Sequence, residues 1–195
     1  MSRINWLPVL LLFACLLSAC KQDDPNPTQL INNADLEQTP SDWSFGYYYN
    51  LTANPNKYKS AYTTEAAASG AHAFKIQCDT IRNDTTFCFF FKKLTAPAIP
   101  MGAKLTLKAK IKTVNLQGRG VSLGMIGFQS FRNEVKTVFF PTTEKTPITG
   151  TSDFKEYVVT LDSYPGDIDI IQIMLSYLPK TTGVVYFDDI TLTVN

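Results

Sequence analysis

The sequence predicts an all-β chain, a two-sheet antiparallel β-sandwich, on three observations. From Leu30 onward apolar residues recur with a period of two rather than about 3.6. Short apolar runs alternate with segments rich in Gly and Pro, the residues that turns demand. No long amphipathic helix interrupts them; only residues 63–69, with three consecutive alanines, have the composition of a helical turn.

The clearest strand is Lys104-Leu105-Thr106-Leu107-Lys108-Ala109-Lys110-Ile111-Lys112. Leu105, Leu107, Ala109 and Ile111 point one way, while Lys104, Lys108, Lys110 and Lys112 form a solvated row on the other. Similar runs occupy residues 44–50, 71–78, 86–94, 121–128, 135–140, 154–161, 168–178 and 184–194, for about nine or ten strands. The separators are Pro97-Ala98-Ile99-Pro100-Met101-Gly102, Gln117-Gly118-Arg119-Gly120, Tyr164-Pro165-Gly166-Asp167 and Thr181-Thr182-Gly183. Successive phenylalanines at 89–91 and 139–140 fill the core from one strand face and a covered groove from the other.

Composition narrows the function classes. The chain has 195 residues, 45% of them hydrophobic, enough for one domain of ordinary size. Charged residues make up 18%, aromatic residues 12%, and the formal net charge is +1. A disordered acidic chain and a basic nucleic-acid binder are both excluded by that balance. His72 is the single histidine, which leaves little for a zinc site or a Ser/His/Asp mechanism. No nucleophile elbow, Walker loop or dinucleotide-binding glycine motif occurs, so a non-catalytic protein is expected.

The N-terminus carries an address. Arg3 precedes an almost wholly apolar run from Leu7 to Ala19, too short to span a bilayer, which takes about 20 residues. It ends in Leu17-Ser18-Ala19-Cys20, which resembles a bacterial lipobox. That resemblance implies cleavage before Cys20 and lipidation of its thiol, with acyl chains anchoring the protein in a membrane. The chain then divides into a signal peptide (1–19), a lipidated cysteine with a polar, proline-punctuated tether (20–29) and the sandwich (30–195). The acidic stretch after Cys20 resembles the surface-export signal of Bacteroidetes lipoproteins, implying a lipid-anchored outer-membrane protein exposed at the cell surface. A periplasm-facing anchor is the alternative. Removal of 1–19 takes away only Arg3 among the charges and leaves a neutral chain without a patch for anionic lipid.

In an oxidising compartment the remaining thiols, Cys78 and Cys88, are expected to form a disulfide. They flank the turn-like Arg82-Asn83-Asp84, so a hairpin there sets them on neighbouring strands.

Four segments resemble the galactose-binding-like jelly-roll modules, in particular carbohydrate-binding modules related to families four and nine. They are Leu30-Ile31-Asn32-Asn33-Ala34-Asp35-Leu36-Glu37 with Ser41-Asp42-Trp43, Ser69-Gly70-Ala71-His72-Ala73-Phe74-Lys75-Ile76, the strand entry from Ile99 to Leu107, and Gly183-Val184-Val185-Tyr186-Phe187-Asp188-Asp189-Ile190-Thr191-Leu192. Their order matches over residues 30–195, although Leu36, Met101 and Leu105 depart from the pattern. The resemblance implies a jelly roll, and a structural calcium ion held by Glu37 and Asp188. Period-two logic independently turns Asp188 inward with Ile190, Leu192 and Val194. A carboxylate there needs a cation, loop amides or a lysine to offset its burial.

Glycan recognition in such modules rests on rings stacked on sugar faces beside hydroxyl-reading polar groups. Tyr47, Tyr48 and Tyr49 are the most exposed-looking rings, since successive residues alternate sides. Phe128 and Arg132, with Gln129 and Phe131, form a second cluster, and Tyr164 and Tyr177 are further candidates. Trp43 is expected to pack beneath the first loop. The function expected is therefore glycan binding by a non-catalytic lipoprotein. A structural or accessory role with an outer-membrane protein partner, or adhesion, is the alternative, and a divergent hydrolase the third.

Overall fold

A computed structural model of the chain describes residues 27–38, 42–48, 56–95, 98–131 and 134–195. Ten strands run in order: β1 (Thr28–Gln29), β2 (Ser44–Tyr48), β3 (Lys59–Thr63), β4 (Ala73–Cys78), β5 (Phe87–Thr95), β6 (Leu105–Phe131), β7 (Glu134–Thr142), β8 (Ile148–Leu161), β9 (Ile170–Tyr177) and β10 (Thr182–Val194). All the ladders are antiparallel. Sheet I has the order β3-β4-β10-β6-β8, with β1 on the end of β10; sheet II has the order β2-β5-β9-β6-β7. The architecture is the expected two-sheet β-sandwich.

β6 belongs to both sheets. Its first half, up to Gln117, pairs with β8 and β10, and its second half, from Val121, pairs with β9 and β7, with Val121 also opposite Ile148 at the start of β8. Two strands expected at 104–112 and 121–128 are thus one strand with a corner. Asn115, Gly118 and Gly120 adopt positive φ there. A Cβ on Gly118 would sit 1.8 Å from the Lys180 carbonyl oxygen, so only glycine lets the corner close against the neighbouring loop.

The inner faces of the two sheets meet in one core. Phe74 of β4 and Phe90 of β5 stack face to face with centroids 3.7 Å apart, and Trp43 stacks on Phe90 at 4.9 Å. Trp43 packs beneath the first loop, as expected. Alternation holds along β5 (Cys88, Phe90 and Lys92 inward) and along β9 (Ile171, Ile173, Leu175 and Tyr177 inward). The inward Lys92 lies beneath the N-terminal segment, where its ammonium donates to the Asn32 carbonyl and to Asp42.

Three expectations are corrected. Residues 64–72 run as bends and irregular backbone rather than a helical turn: Thr63 ends β3, and the amides of Ala68 and Ala71 donate to carboxylates instead of to helical carbonyls. The hairpin joining Cys78 to Cys88 does not form: β4 pairs with β3 and β10, whereas β5 pairs with β2 and β9. The intervening segment crosses between sheets, held by buried Asn56, whose amide oxygen accepts from the backbone of Arg82 and Asn83. Both cysteines are free thiols in the core, and burial pushes both thiols up in pKa, Cys88 well above the usual range. Tyr177 is wholly enclosed rather than a ring for a ligand. It shares the inward side of β9 with Leu175, and its hydroxyl donates to the Gly183 carbonyl at 2.9 Å. Tyr164 is also buried.

Candidate functional site

What faces the core on β5 decides what faces away from it. With Cys88 and Phe90 inside, Phe87, Phe89 and Phe91 line the outer face of sheet II, each half-buried. Consecutive centroids lie 6.0 and 5.4 Å apart, and Tyr48 of β2 stacks on Phe87 at 5.0 Å. Gly46 keeps Phe89 close to the backbone of β2, since a Cβ at Gly46 would lie 2.9 Å from that ring. The Lys93 ammonium sits 5.8 Å from the Phe91 centroid at one end of the row.

The strands beside β5 add polar groups in register. Phe89 is opposite Ser176, which is opposite Ser122; Lys93 is opposite Gln172, which is opposite Ile126. Ser122, Gln172 and Ser176 are 4%, 8% and 9% exposed. Among the described residues nothing hydrogen-bonds to these three side chains. Two hydroxyls and an amide therefore stand beside the aromatic row with no protein partner, and their polar atoms are not sealed from solvent, so a ligand or water can reach them.

Of the rings expected to bind, Tyr47 and Tyr48 are 49% and 61% exposed. Tyr48 joins the outer row, whereas Tyr47 leans the other way, edge-on to Phe45 at 4.8 Å. Phe128 is half-buried, opposite Ile170 and Thr137 on sheet II. Tyr49, Arg132 and Cys20, together with most of the tether, lie outside the described residues. The expectation did not single out Phe87, Gln172, Ser122 or Ser176 as ligand groups. Their signal was the alternation of Ile171, Ile173 and Leu175, which turns Gln172 and Ser176 to the opposite face.

Glu37 and Asp188 both serve the loop of residues 68–72. Glu37 Oε1 accepts from the Ala71 and His72 amides at 2.9 and 2.7 Å, and Oε2 lies 2.8 Å from His72 Nδ1. The His72 hydrogen bond and these amides hold the Glu37 carboxyl below its ordinary value. Asp188 Oδ2 accepts from the Ala68 and Ser69 amides at 2.6 and 3.2 Å, and Oδ1 from the Asp189 amide at 2.7 Å. Burial raises the Asp188 pKa, with those amides opposing the rise.

Asp188 is fully enclosed, but strand parity is not the reason. A one-residue bulge at Asp189, whose φ is 46°, resets the alternation: Val185 and Phe187 face the core before it, Ile190 and Leu192 after it. The loop laid over Asp188 does the covering.

Calcium takes about six to eight oxygen ligands. Here all four oxygens of Glu37 and Asp188 already face N–H donors, and the Lys110 ammonium lies 2.8 Å from neighbouring Asp189. The Glu37 and Asp188 carboxylates both accept from donors of the one loop. They form a hydrogen-bonded clamp.

Among solved structures the chain is similar to a carbohydrate-binding module of family 4, with 16% identity, a TM-score of 0.54, and 85% of this chain and 99% of that one covered. The likeness shows the fold, a jelly roll. It is also similar to a cyclase from Fischerella sp. TAU (16% identity, TM-score 0.59, covering 87% of this chain and 98% of that one). A third likeness is to the enzymatically active domain of bacteriophage CBA120 tailspike protein 4 (12% identity, TM-score 0.55), where 86% of this chain matches only 21% of the other. No protein-family profile matches the chain, and no curated protein matches it. The jelly roll is thus shared with a binding module and with enzymes, and function has to be argued from the site.

Proposed function

We propose that the chain is a non-catalytic carbohydrate-binding protein whose ligand lies across the outer face of sheet II. The observation that carries this reading is the juxtaposition of the Tyr48, Phe87, Phe89 and Phe91 rings with the unpartnered Ser122, Gln172 and Ser176 side chains. Sugar rings have apolar C–H faces that stack on aromatic rings, and hydroxyl edges that amides and hydroxyls read. The carboxylate of Glu144, at one rim, is engaged by Arg119 at 3.2 Å rather than free to act as an acid or base. Phe128, on the same face, is proposed as a flanking contact.

Lipidation of Cys20 and display at the outer membrane belong to the same proposal, supported by the lipobox-like Leu17-Ser18-Ala19-Cys20. The deciding experiment is a glycan-array screen of the domain from Asp24 onward, followed by titration of Tyr48→Ala. Saturable binding weakened by that change supports the reading. Silence from a folded domain overturns it and favours an accessory role with a protein partner. Cys20→Ala should move the full-length protein from the membrane to the soluble fraction.

A further inference from the structure

At one end of the outer face of sheet II the side-chain layer thins into a cavity of about 320 Å³. Small residues make the thin patch: Ser122 stands opposite Ser176, and Gly124 opposite Met174. Phe87, Ile126, Phe140 and Met174 wall it, and the Arg119–Glu144 ion pair sits on its rim. The volume lies at the lower end of the about 300–1,000 Å³ typical of small-molecule sites.

We propose that this cavity is a subsite for a single aromatic ring bearing an oxygen function, the chemistry of a phenolic acid or its ester on a glycan. The proposal deepens the carbohydrate-binding reading and rests on it only for the glycan-borne form. Two phenylalanine rings and a thioether favour an aromatic guest through ring–ring and sulfur–ring contacts. Ser122 and Ser176, each more than nine-tenths buried and without a protein partner, call for an oxygen on that guest. A bare sugar carries hydroxyls all round its ring and would press several against the apolar walls. An alkyl chain would leave both serines unsatisfied. A phenolic ring satisfies both demands, with apolar faces and oxygens at its edge. The rim charges neutralise each other, so the cavity has no use for a strongly ionic ligand.

The test uses the folded domain and three probes: methyl 4-hydroxycinnamate, an oligosaccharide bearing a hydroxycinnamoyl ester, and the same oligosaccharide after alkaline removal of the ester. Binding is read by saturation-transfer NMR and calorimetry. The free ester should bind through its aromatic protons. Ser176→Leu, which fills the cavity from its floor, should weaken binding about tenfold or more. Ser122→Ala, which keeps the space and removes one hydroxyl, should weaken it about fivefold and guards against misfolding of the leucine variant. Lys108→Glu, on the outer face of the other sheet, should leave the free ester unaffected.

If the free ester does not bind, or binds equally to wild type, Ser176→Leu and Ser122→Ala, the proposal is overturned. Equal binding of both oligosaccharides without binding of the free ester overturns the subsite and leaves the carbohydrate reading standing. Binding of the free ester without either oligosaccharide keeps the subsite, as one for a free phenolic acid, and removes the carbohydrate reading.

Discussion

The outer faces of the two sheets are built from the same alternation and end in opposite states. On sheet I, Lys108 pairs with Glu156 at 3.1 Å, Lys112 with Asp153 at 3.0 Å, and Lys110 with Asp189 at 2.8 Å. Each of these three ammonium groups has a carboxylate on β8 or β10. On sheet II, three buried polar side chains have no protein partner, and aromatic rings stand half-covered beside them. A face that satisfies itself has nothing to offer a ligand, whereas one that leaves polar groups unpaired among rings is completed by something else.

The largest expected effect lies away from either face. Asp188→Ala removes the acceptor for the Ala68 and Ser69 amides, and should lower stability by about 2–3 kcal/mol in urea unfolding. Glycan affinity per folded molecule should not change. Loss of affinity in the folded fraction would break the separation of clamp from face. Next, Phe89→Ala takes the central ring from the row and should weaken glycan binding about tenfold in calorimetry. An unchanged affinity would move the contact surface elsewhere.

On the self-satisfied face, Lys108→Glu should cost no more than about 1 kcal/mol, as exposed ion pairs do, with affinity unaltered. A weakened affinity would show that sheet I also contributes. Smaller still, the native thiols should resist alkylation at pH 8, because burial holds both in the neutral form. Denaturation should expose two reactive thiols, and a mass 2 Da lower than after reduction would instead reveal a bridge, on the chemistry of thiol oxidation. Finally, EDTA should leave the melting temperature where it is. A fall of several degrees would restore a cation at Glu37 and Asp188.

How far the sequence led depends on the range of the interaction. Alternation is local, so the lysine row and the two-sheet β class were legible from residues alone, whereas the jelly roll was implied by the family resemblance. The same alternation, applied along Ile171 to Tyr177, would have placed Tyr177 inside. It was passed over in favour of the ring's chemistry. The corner in β6 was read as a break because Gly118 and Gly120 mark turns as well as bends, and only the partners on each side distinguish the two. Edge strand β3 has five residues and little periodicity. The hairpin behind the disulfide expectation failed because Cys78 and Cys88 are close in sequence while their ladders lie in different sheets, and both stand as free thiols in the core. For Asp188, loop amides were among the three compensations left open, and backbone donors arriving from 119 and 120 residues away leave no mark on the neighbouring sequence.

The length of β6 also has a mechanical meaning. The N-terminal segment enters the domain on sheet I, where β1 lies against β10, while the proposed ligand face is on sheet II. Tension between an anchored N-terminus and a polymer held on the far sheet would travel through the one strand common to both. Because β6 is laced to β8 and β10 on one side of its corner and to β7 and β9 on the other, the sheets cannot peel apart one bond at a time. Separation requires breaking several ladders together, a construction that would resist such tension if the proposed ligand and anchor are both engaged.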